Sequence, residues 1–221
     1  MIFFLSIFTL TGWIYLVFVH GKYKGYKKNT AFWTNKVIFE QEDFYNHTNH
    51  FNLCVIIPAR NEEKNITETL KSLINQNIKN IFILIIDDNS IDNTKQKAHQ
   101  TLKNFKNLKF KIIKGEKLPA GWSGKVWALK QGVDIAVSKN FSHFLFMDSD
   151  IILHKNIIKD SISYLEEKNL KMFSLMAKLK CKTKWEKLLI PSFIYFFQKL
   201  FPFNQVNSKN NKLSAAAGGF I

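Results

Sequence analysis

The sequence is poor in cysteine and in glycine-rich motifs, and these absences exclude several classes of protein. Cys54 and Cys181 are its only cysteines, and they lie far apart in the chain. Two isolated thiols, one inside an apolar run, indicate reduced and packed side chains of a cytoplasmic domain. A disulfide framework and a zinc-type cluster are therefore not expected. No Gly-x-Gly-x-x-Gly pattern occurs, so a dinucleotide-binding fold has no support.

Arginine is almost absent, although the chain is strongly basic. Lysine and arginine together number 32 against 17 acidic residues, for a formal net charge of +15, and Arg60 is the only arginine. Abundant Asn, Ile and Phe accompany the lysines, which is typical of a coding bias, and we interpret the charge as diffuse surface lysine. No basic stripe with interleaved stacking aromatics is present, so the sequence predicts no nucleic-acid partner.

The N-terminus carries a long apolar run without charge. Ile2–Val19 would form a helix about 27 Å long, close to the thickness of the hydrocarbon core. The basic start and small-residue cleavage site of a secretory signal peptide are absent. Four lysines follow and would hold the downstream chain in the cytoplasm: Lys22, Lys24, Lys27 and Lys28. We predict an uncleaved transmembrane signal anchor at 1–20 in the cell (inner) membrane; a buried core helix is the alternative.

After a polar linker at 21–50, residues 51–180 alternate between apolar strands and amphipathic helices. The expected strands are Leu53–Ile57, Ile81–Ile86, Phe110–Ile113, Phe144–Met147 and Met172–Leu179. Pro58 is expected to end the first strand, and Asn65 with Glu68 to form a capping box at the next helix. This alternation predicts an α/β fold with a mostly parallel sheet flanked by helices.

Residues 181–221 begin with a second apolar region. Trp185–Phe203 is interrupted by Pro191 and bordered by Lys187 and Lys199. We interpret it as an amphipathic helix lying at the bilayer interface, followed by the start of an incomplete acceptor-binding half. A core helix of a larger domain is the alternative.

Acidic residues follow three of the expected strands. Because the carboxyl ends of parallel strands meet at one edge of a sheet, five carboxylates should converge there: Glu62, Asp87, Asp88, Asp148 and Asp150. Such a set suits Mg²⁺ or Mn²⁺ carrying a phosphorylated ligand. Asp148 and Asp150 are two residues apart, so in an extended segment both face the same side. Each motif alone also fits an ordinary turn.

The segment Gly121–Lys125 precedes an expected helix. Backbone amides and a lysine at a helix N-terminus can bind an anion. The segment is not a Walker loop, because Pro119 stands where that motif requires glycine and Val126 replaces its Ser/Thr.

Taken together and in this order, these motifs resemble those of family 2 glycosyltransferases of GT-A fold. The resemblance runs from Leu53 to Met176 and rests on Pro-Ala-Arg-Asn-Glu, Asp-Asp-Asn-Ser-x-Asp-Asn-Thr, Gly-Lys-x-x-Ala-Leu and Asp-Ser-Asp. Gly-Trp-Ser-Gly-Lys-Val-Trp-Ala and the closing Ala-Ala-Ala-Gly-Gly are similar to a membrane-anchored subgroup, the hopene-associated glycosyltransferases.

The resemblance implies a role for each matching residue. The nucleotide would be framed by Pro58, Ala59, Arg60 and Glu62, with Glu62 near the ribose. Asp87 or Asp88 would read the uracil edge, and Lys125 would lie near the diphosphate. Asp148 would contact ribose or metal, and Asp150 would ligate the metal. The donor would be a nucleotide-diphosphate sugar, with a UDP-sugar favoured, the cofactor Mg²⁺ or Mn²⁺, and the acceptor a lipid or polyprenyl compound.

The sequence departs from that family at its end. Transfer with inversion requires a general base, which the family places on an Asp or Glu beyond the pair that is here Gly218-Gly219. The sequence ends at Ile221, and Glu166, Glu167 and Glu186 come too early. We therefore expect a C-terminally truncated fragment. The alternatives are a non-catalytic, membrane-tethered nucleotide-sugar-binding fragment without the base, and an anchor protein that binds anionic lipid through its lysines.

Overall fold

The computed structural model describes residues 2–15, 51–202, 206–207 and 213–221. The chain forms two compact units, Met1–Glu40 with Lys178–Ala215 and Gln41–Ala177 with Ala216–Ile221. The predicted linker at 21–50 and its lysines lie outside the described residues.

The second unit is an α/β sandwich around a four-stranded parallel sheet of order β3-β2-β1-β4. Its strands are β1 (Leu53–Ala59), β2 (Ile81–Asp87), β3 (Lys109–Lys114) and β4 (His143–Phe146). Its helices are α2 (Ile66–Ile74), α3 (Thr94–Lys103), α4 (Gly124–Val137) and α5 (Ile157–Glu167); α1 belongs to the first unit. The predicted α/β fold with a parallel sheet flanked by helices is confirmed.

Alternate residues of the central strand β1 point into two separate cores. Val55 and Ile57 pack with residues of α2, α3 and α5 on one face of the sheet. Cys54 and Ile56 pack with α4 on the other face. Since each fully buried aliphatic side chain contributes about 1.5–3 kcal/mol, both faces hold β1 firmly, and the loop that follows it is fixed at the carboxyl edge.

The expectation that Pro58 ends the first strand is wrong, because β1 continues to Ala59. The Leu53 amide donates to Asn80 and the Ala59 carbonyl accepts from Asp88, both on the β2 side, whereas the Ile56 carbonyl accepts from Met147 on the β4 side. By this alternation, Pro58 faces the β4 side, where strand pairing ends at Ile56. The missing N–H of Pro58 therefore costs no ladder hydrogen bond.

The predicted strand at Met172–Leu179 is also wrong, because this segment is irregular. The edge beside β4 is occupied by the chain end instead: Phe146 and Ile221 exchange both backbone hydrogen bonds, at 2.8 and 3.0 Å. Leu175 donates one bond, of 3.0 Å, to the Phe220 carbonyl and packs against the core. The apolar alternation thus marks a segment lying against the chain end.

The predicted capping box at α2 is absent. Asn65 is the N-cap residue, but its side chain makes no cap hydrogen bond. Its Nδ2 donates to Glu62 Oε2 at 2.9 Å, and Glu68 accepts from Lys71 at 2.9 Å. The preceding loop thus competes successfully for the asparagine side chain.

Gly132 lets the backbone of α4 approach the sheet closely. A Cβ at this position would lie 2.5 Å from Ile56 Cγ2, a side chain with no freedom to move because it is fully buried. We expect Gly132→Ala to lower the free energy of unfolding by about 1–3 kcal/mol through overpacking. Urea denaturation measures this, with Val137→Ala on the exposed side of the same helix as control; equal effects of the two changes would contradict the assignment.

The two cysteines differ in their chemistry. Burial raises the pKa of the Cys54 thiol to about 11, against a smaller opposing effect of Lys139, while Cys181 is exposed. Because the unfolded thiol ionises near 9.0, ionisation favours unfolding as the pH rises from 9 towards 11. At pH 8 we expect a thiol reagent to modify Cys181 quickly and Cys54 only after unfolding. Two fast thiols in the native chain would refute this.

In the first unit, α1 (Ile2–Ile14) spans 13 residues, or about 20 Å. None of the helices within the described residues combines the length and apolarity needed to cross a bilayer. Met1 and residues 16–20 of the predicted anchor lie outside the described part. The anchor therefore remains a prediction.

The other described helix of this unit is α6 (Lys184–Leu200). Thr183 Oγ1 accepts from the Glu186 amide at 3.1 Å, and Glu186 Oε2 accepts from the Thr183 amide at 2.7 Å, a capping box. The amides of Thr183 and Lys182, which donate to its carboxylate, lower the pKa of Glu186. Pro191, which interrupts the apolar run in the sequence, lies inside this helix.

Candidate functional site

The loops that follow β1, β2 and β4 lie at one edge of the sheet. Parallel pairing aligns Ala59 with Asp87 and Ile56 with Phe146. Arg60, Asp88 and Asp148 therefore leave the sheet on the same side. We call this the carboxyl edge.

The first two loops are hydrogen-bonded to each other. The Asp88 amide donates to the Ala59 carbonyl at 2.8 Å, and the Asn61 amide donates to Ser90 Oγ at 3.0 Å. Arg60 Nη1 lies 3.4 Å from Asp88 Oδ2, with the arginine side chain 64% and the aspartate 13% exposed. The loops thus form one rigid unit from which the guanidinium can still reach a ligand.

The two neighbouring aspartates after β2 have different surroundings. Asp87 is 5% exposed, and its Oδ1 accepts from the Ser90 amide at 3.4 Å. Asp88 Oδ2 lies so near α4 that a Cβ added to Gly124 would be 2.9 Å from it. A carboxylate at a helix N-terminus is electrostatically favourable. Asp87 therefore braces its turn, while Asp88 is the carboxylate at the edge.

Glu62 is held by two residues of the second motif to which the sequence assigned no role. Its amide donates to Thr94 Oγ1 at 2.7 Å, and Thr94 Oγ1 donates to Asp92 Oδ1 at 2.5 Å. Desolvation raises the pKa of Asp92, but hydrogen bonds from Thr94 and the Glu63 backbone outweigh it, so the pKa is lowered. The Asp-Asn-Thr end of the second motif was the signal for this contact.

Lys125 and Asp148 form an ion pair at the centre of the carboxyl edge. Lys125 Nζ lies 2.6 Å from Asp148 Oδ1 and 3.4 Å from the Gly218 carbonyl oxygen. The side chains are 48% and 30% exposed. A half-exposed lysine in the first turn of α4 can meet a solvent-borne anion, and the pairing brings together two residues that the sequence placed in one site.

The chain end forms one wall of this site, which the sequence did not predict. The Asp148 amide donates to the Gly219 carbonyl at 3.1 Å. A Cβ on Gly219 would lie 2.7 Å from Ile151 Cδ1 and 3.6 Å from Asp148 Oδ2. A larger residue at position 219 would require the end of the Ile151 side chain to move. The Ala-Ala-Ala-Gly-Gly run was the available signal, but nothing in it indicated where it packs.

The carboxylates fit a divalent metal that a substrate helps to hold. Asp150 is exposed and makes no hydrogen bond or ion pair in the described part of the chain. Asp148 commits Oδ1 to Lys125, which leaves Oδ2. Among the described residues, no group of three or more Asp, Glu, His or Cys side chains is close enough together to hold a metal ion. Mg²⁺ is commonly held by one or two carboxylates together with substrate phosphates, so the donor set is sufficient only in the presence of a phosphorylated ligand.

Glu166 and Glu186, two carboxylates considered as bases, have other surroundings. Glu166 is 3.9 Å from His143, the first residue of β4, and is therefore at the opposite edge of the sheet. Glu186 caps α6 in the first unit. Glu116, which belongs to none of the sequence motifs, follows β3 at the carboxyl edge; its amide donates to Gln131 Oε1 at 2.8 Å and its side chain is exposed.

A separate cavity of about 570 Å³ lies between α2 and α3. Its lining includes Lys71, Lys97 and Phe105 and none of the predicted site residues.

Similar proteins were found among known sequences and structures. Residues 54–221 match the family described as glycosyl transferase family 2. The chain is 30% identical over 112 residues to the amylovoran biosynthesis glycosyltransferase AmsB of Erwinia amylovora, covering 51% of this chain and 35% of that protein. It is 32% identical over 110 residues to the 4,4'-diaponeurosporenoate glycosyltransferase of Staphylococcus haemolyticus, covering 50% and 27%.

Among solved structures, S. aureus TarS in complex with UDP-GlcNAc superposes with a TM-score of 0.41 at 29% identity, covering 60% of this chain and 38% of that one. The chain thus spans about a third or less of the length of these curated relatives. The family match covers both sheet faces, all three loops of the carboxyl edge and the chain end that closes it. The chain belongs to glycosyl transferase family 2.

Proposed function

We propose that this chain binds the donor of a metal-dependent glycosyltransferase, which moves a sugar from a nucleotide-diphosphate sugar, a UDP-sugar by preference, to a lipid-type acceptor with inversion. The observation that carries the proposal is the Lys125–Asp148 pair beside Asp150, whose carboxylate has no partner within the described residues. One cation and two carboxylates at the carboxyl edge match the charges of a diphosphate and its divalent metal. Family membership and relatives named as glycosyltransferases support this reading.

Each residue has a definite task in this proposal. Asp150 and the free oxygen of Asp148 would hold Mg²⁺ or Mn²⁺, which when bound supplies charge neutralisation for the departing diphosphate. Lys125 would exchange its partner Asp148 for a diphosphate oxygen. Asp88 would meet the base of the nucleotide, with Arg60 turned towards the ligand. The acceptor loses a proton during the displacement, and the group that takes it is a general base.

Membrane attachment is the second part of the proposal. The side chains of α1 from Phe3 to Phe8 are apolar or uncharged and exposed, with Phe3 72% and Phe8 78% exposed. Such a surface is unfavourable in water, and the sequence continues it to Val19. An anchor in the cell membrane with lysines on its cytoplasmic side would keep the chain at the membrane, where lipid or polyprenyl acceptors lie.

The test is donor turnover by the intact chain in membranes. With Mn²⁺ present, we expect release of UDP from a UDP-sugar by transfer or slow hydrolysis, and none in EDTA. Testing a panel of GDP- and UDP-sugars distinguishes an error in the expected nucleotide from an error in the proposed function. Absence of turnover with every donor, together with absence of donor binding, would overturn the proposal.

A non-catalytic, membrane-tethered nucleotide-sugar-binding module is the second candidate. It is favoured by the position of Glu166 at the opposite edge of the sheet and of Glu186 in a helix cap. Metal-dependent donor binding without any turnover would support this candidate, and any transfer to an acceptor would exclude it.

A further inference from the structure

A dense run of lysines leads into α6. Residues 178–187 contain five, all exposed: Lys178, Lys180, Lys182, Lys184 and Lys187. The only acidic residue among them, Glu186, is held by the helix cap through the amides of Lys182 and Thr183, at 2.8 and 2.7 Å. The segment therefore presents a concentrated positive charge at the beginning of the helix.

The helix that follows carries an exposed apolar stripe. Its large side chains recur every three or four residues and are 57–73% exposed: Trp185, Leu188, Leu189, Phe193, Phe196 and Leu200. Residues at this spacing share one face of a helix. Six large apolar side chains on one exposed face are far more than the scattered apolar residues that a protein surface normally shows.

We propose that α6 and its lysine-rich lead form a second membrane contact, which binds an anionic bilayer surface with the helix lying in the plane of the interface. The stripe would enter the boundary between headgroups and acyl chains, and the lysines would pair with anionic headgroups. A helix of 17 residues is about 26 Å long and lies flat along such a surface. This inference does not depend on the proposed transferase activity.

Charge complementarity selects this partner over the other occupants of an apolar helix face. Two copies of the chain meeting through the stripe would bring ten lysines together with repulsion between like charges. A nucleic acid would satisfy the lysines but leave the apolar stripe in water. Of these three partners, the anionic lipid surface alone satisfies both features with the same orientation of the helix.

Cys181 allows a local measurement on the full chain. It is exposed, it lies inside the lysine-rich lead, and Cys54 is buried and therefore unreactive. An environment-sensitive fluorophore on Cys181 reports on α6 even when α1 holds the chain in the bilayer. With the labelled chain in phosphatidylcholine vesicles containing 30% phosphatidylglycerol, on the order of the anionic content that gives a strong surface potential, we expect a blue-shifted emission that acyl-brominated lipids quench.

Two variants separate the charge from the stripe. The first variant combines Lys180→Gln, Lys182→Gln and Lys184→Gln. We expect it to need at least about ten times more anionic lipid than the parent chain to reach the same emission shift. Phe193→Gln with Phe196→Gln should abolish the quenching by brominated lipid. The control for the lysine variant combines Lys103→Gln, Lys106→Gln and Lys109→Gln, and the control for the phenylalanine variant is Val137→Gln. All four positions are exposed and lie in the other unit. Both controls should behave like the parent chain.

Three outcomes would overturn the inference. The emission could be the same in vesicles with and without phosphatidylglycerol. It could shift with protein concentration in the absence of lipid, which indicates a second copy as the partner. It could respond to double-stranded DNA and not to vesicles. Far-UV circular dichroism of each variant, unchanged from the parent, ensures that a lost signal reports lost binding and not lost folding.

Discussion

Asp150→Asn is expected to weaken metal-dependent binding of a nucleotide-diphosphate sugar by about 100-fold or more. The asparagine keeps the size of the side chain but removes the negative charge that a divalent cation requires. Mutation of a residue that only supports a metal ligand already lowers metal affinity by about 10–100-fold. Asp150 would be a direct ligand, so its loss should cost at least as much. Because its carboxylate has no partner within the described residues, the substitution breaks no structural contact, and the free energy of unfolding should stay constant.

Asp134→Asn is the matched control for this change. Asp134 is also exposed and acidic, but it lies on α4, where its Oδ2 is 2.5 Å from Lys130 Nζ. Titration calorimetry with a UDP-sugar and Mn²⁺ should give the parent affinity for this control. If Asp150→Asn binds as tightly as the control, Asp150 is not a metal ligand.

Lys125→Gln is expected to reduce donor affinity by about 10- to 100-fold. A lysine hydrogen-bonded to a phosphate oxygen makes a charge-assisted contact worth about 1.5–3 kcal/mol, and 1.4 kcal/mol corresponds to about tenfold in affinity. The same change releases Asp148, whose Oδ1 is 2.6 Å from Lys125 Nζ. The donor binding that remains should still depend on Mn²⁺, because both carboxylates, Asp148 and Asp150, are unchanged.

Lys130→Gln on the same helix provides the comparison. Lys130 is likewise paired with an aspartate, Asp134, but away from the carboxyl edge. An exposed i,i+4 pair contributes about 0.3–0.5 kcal/mol, so this variant should lose a little stability and no donor affinity. Equal donor affinities for the two lysine variants would remove Lys125 from the site.

The sequence was sufficient to predict the sheet and its carboxyl edge. Uninterrupted apolar runs at Leu53–Ile57 and Ile81–Ile86 are typical of strands buried on both faces of a parallel sheet covered by helices. Parallel pairing then requires that Asp88 and Asp148 leave the sheet on the same side. The convergence follows from pattern and topology alone.

The remaining features depended on long-range pairing, which periodicity does not encode. The extension of β1 through Pro58 depends on where β4 stops pairing. The irregular course of Met172–Leu179 depends on Phe220 and Ile221 occupying the edge beside β4. Gly219 approaches Asp148 because of that same placement. Each of these contacts joins segments that are distant in the sequence, so no local sequence pattern predicts it.

The contacts of Lys125 and of Glu62 show the same difference between local features, which the sequence predicts, and tertiary partners, which it does not. The position of Lys125 in the first turn of a helix was readable from Gly121–Lys125, whereas its partner Asp148 was not. The backbone of Glu62 is fixed by Thr94, which lies 32 residues further along the chain. Residue types and helix starts are local properties, but partners are set by the tertiary fold.

The central claim is that the carboxyl edge binds a nucleoside diphosphate through a divalent metal. The most direct measurement is equilibrium titration of the intact chain with UDP and, in parallel, GDP, each in Mn²⁺ and in EDTA. The account predicts binding of at least one nucleotide in Mn²⁺ that weakens at least about tenfold in EDTA, because two carboxylates repel a bare diphosphate. Equal affinity in Mn²⁺ and EDTA, or no binding of either nucleotide, would contradict it.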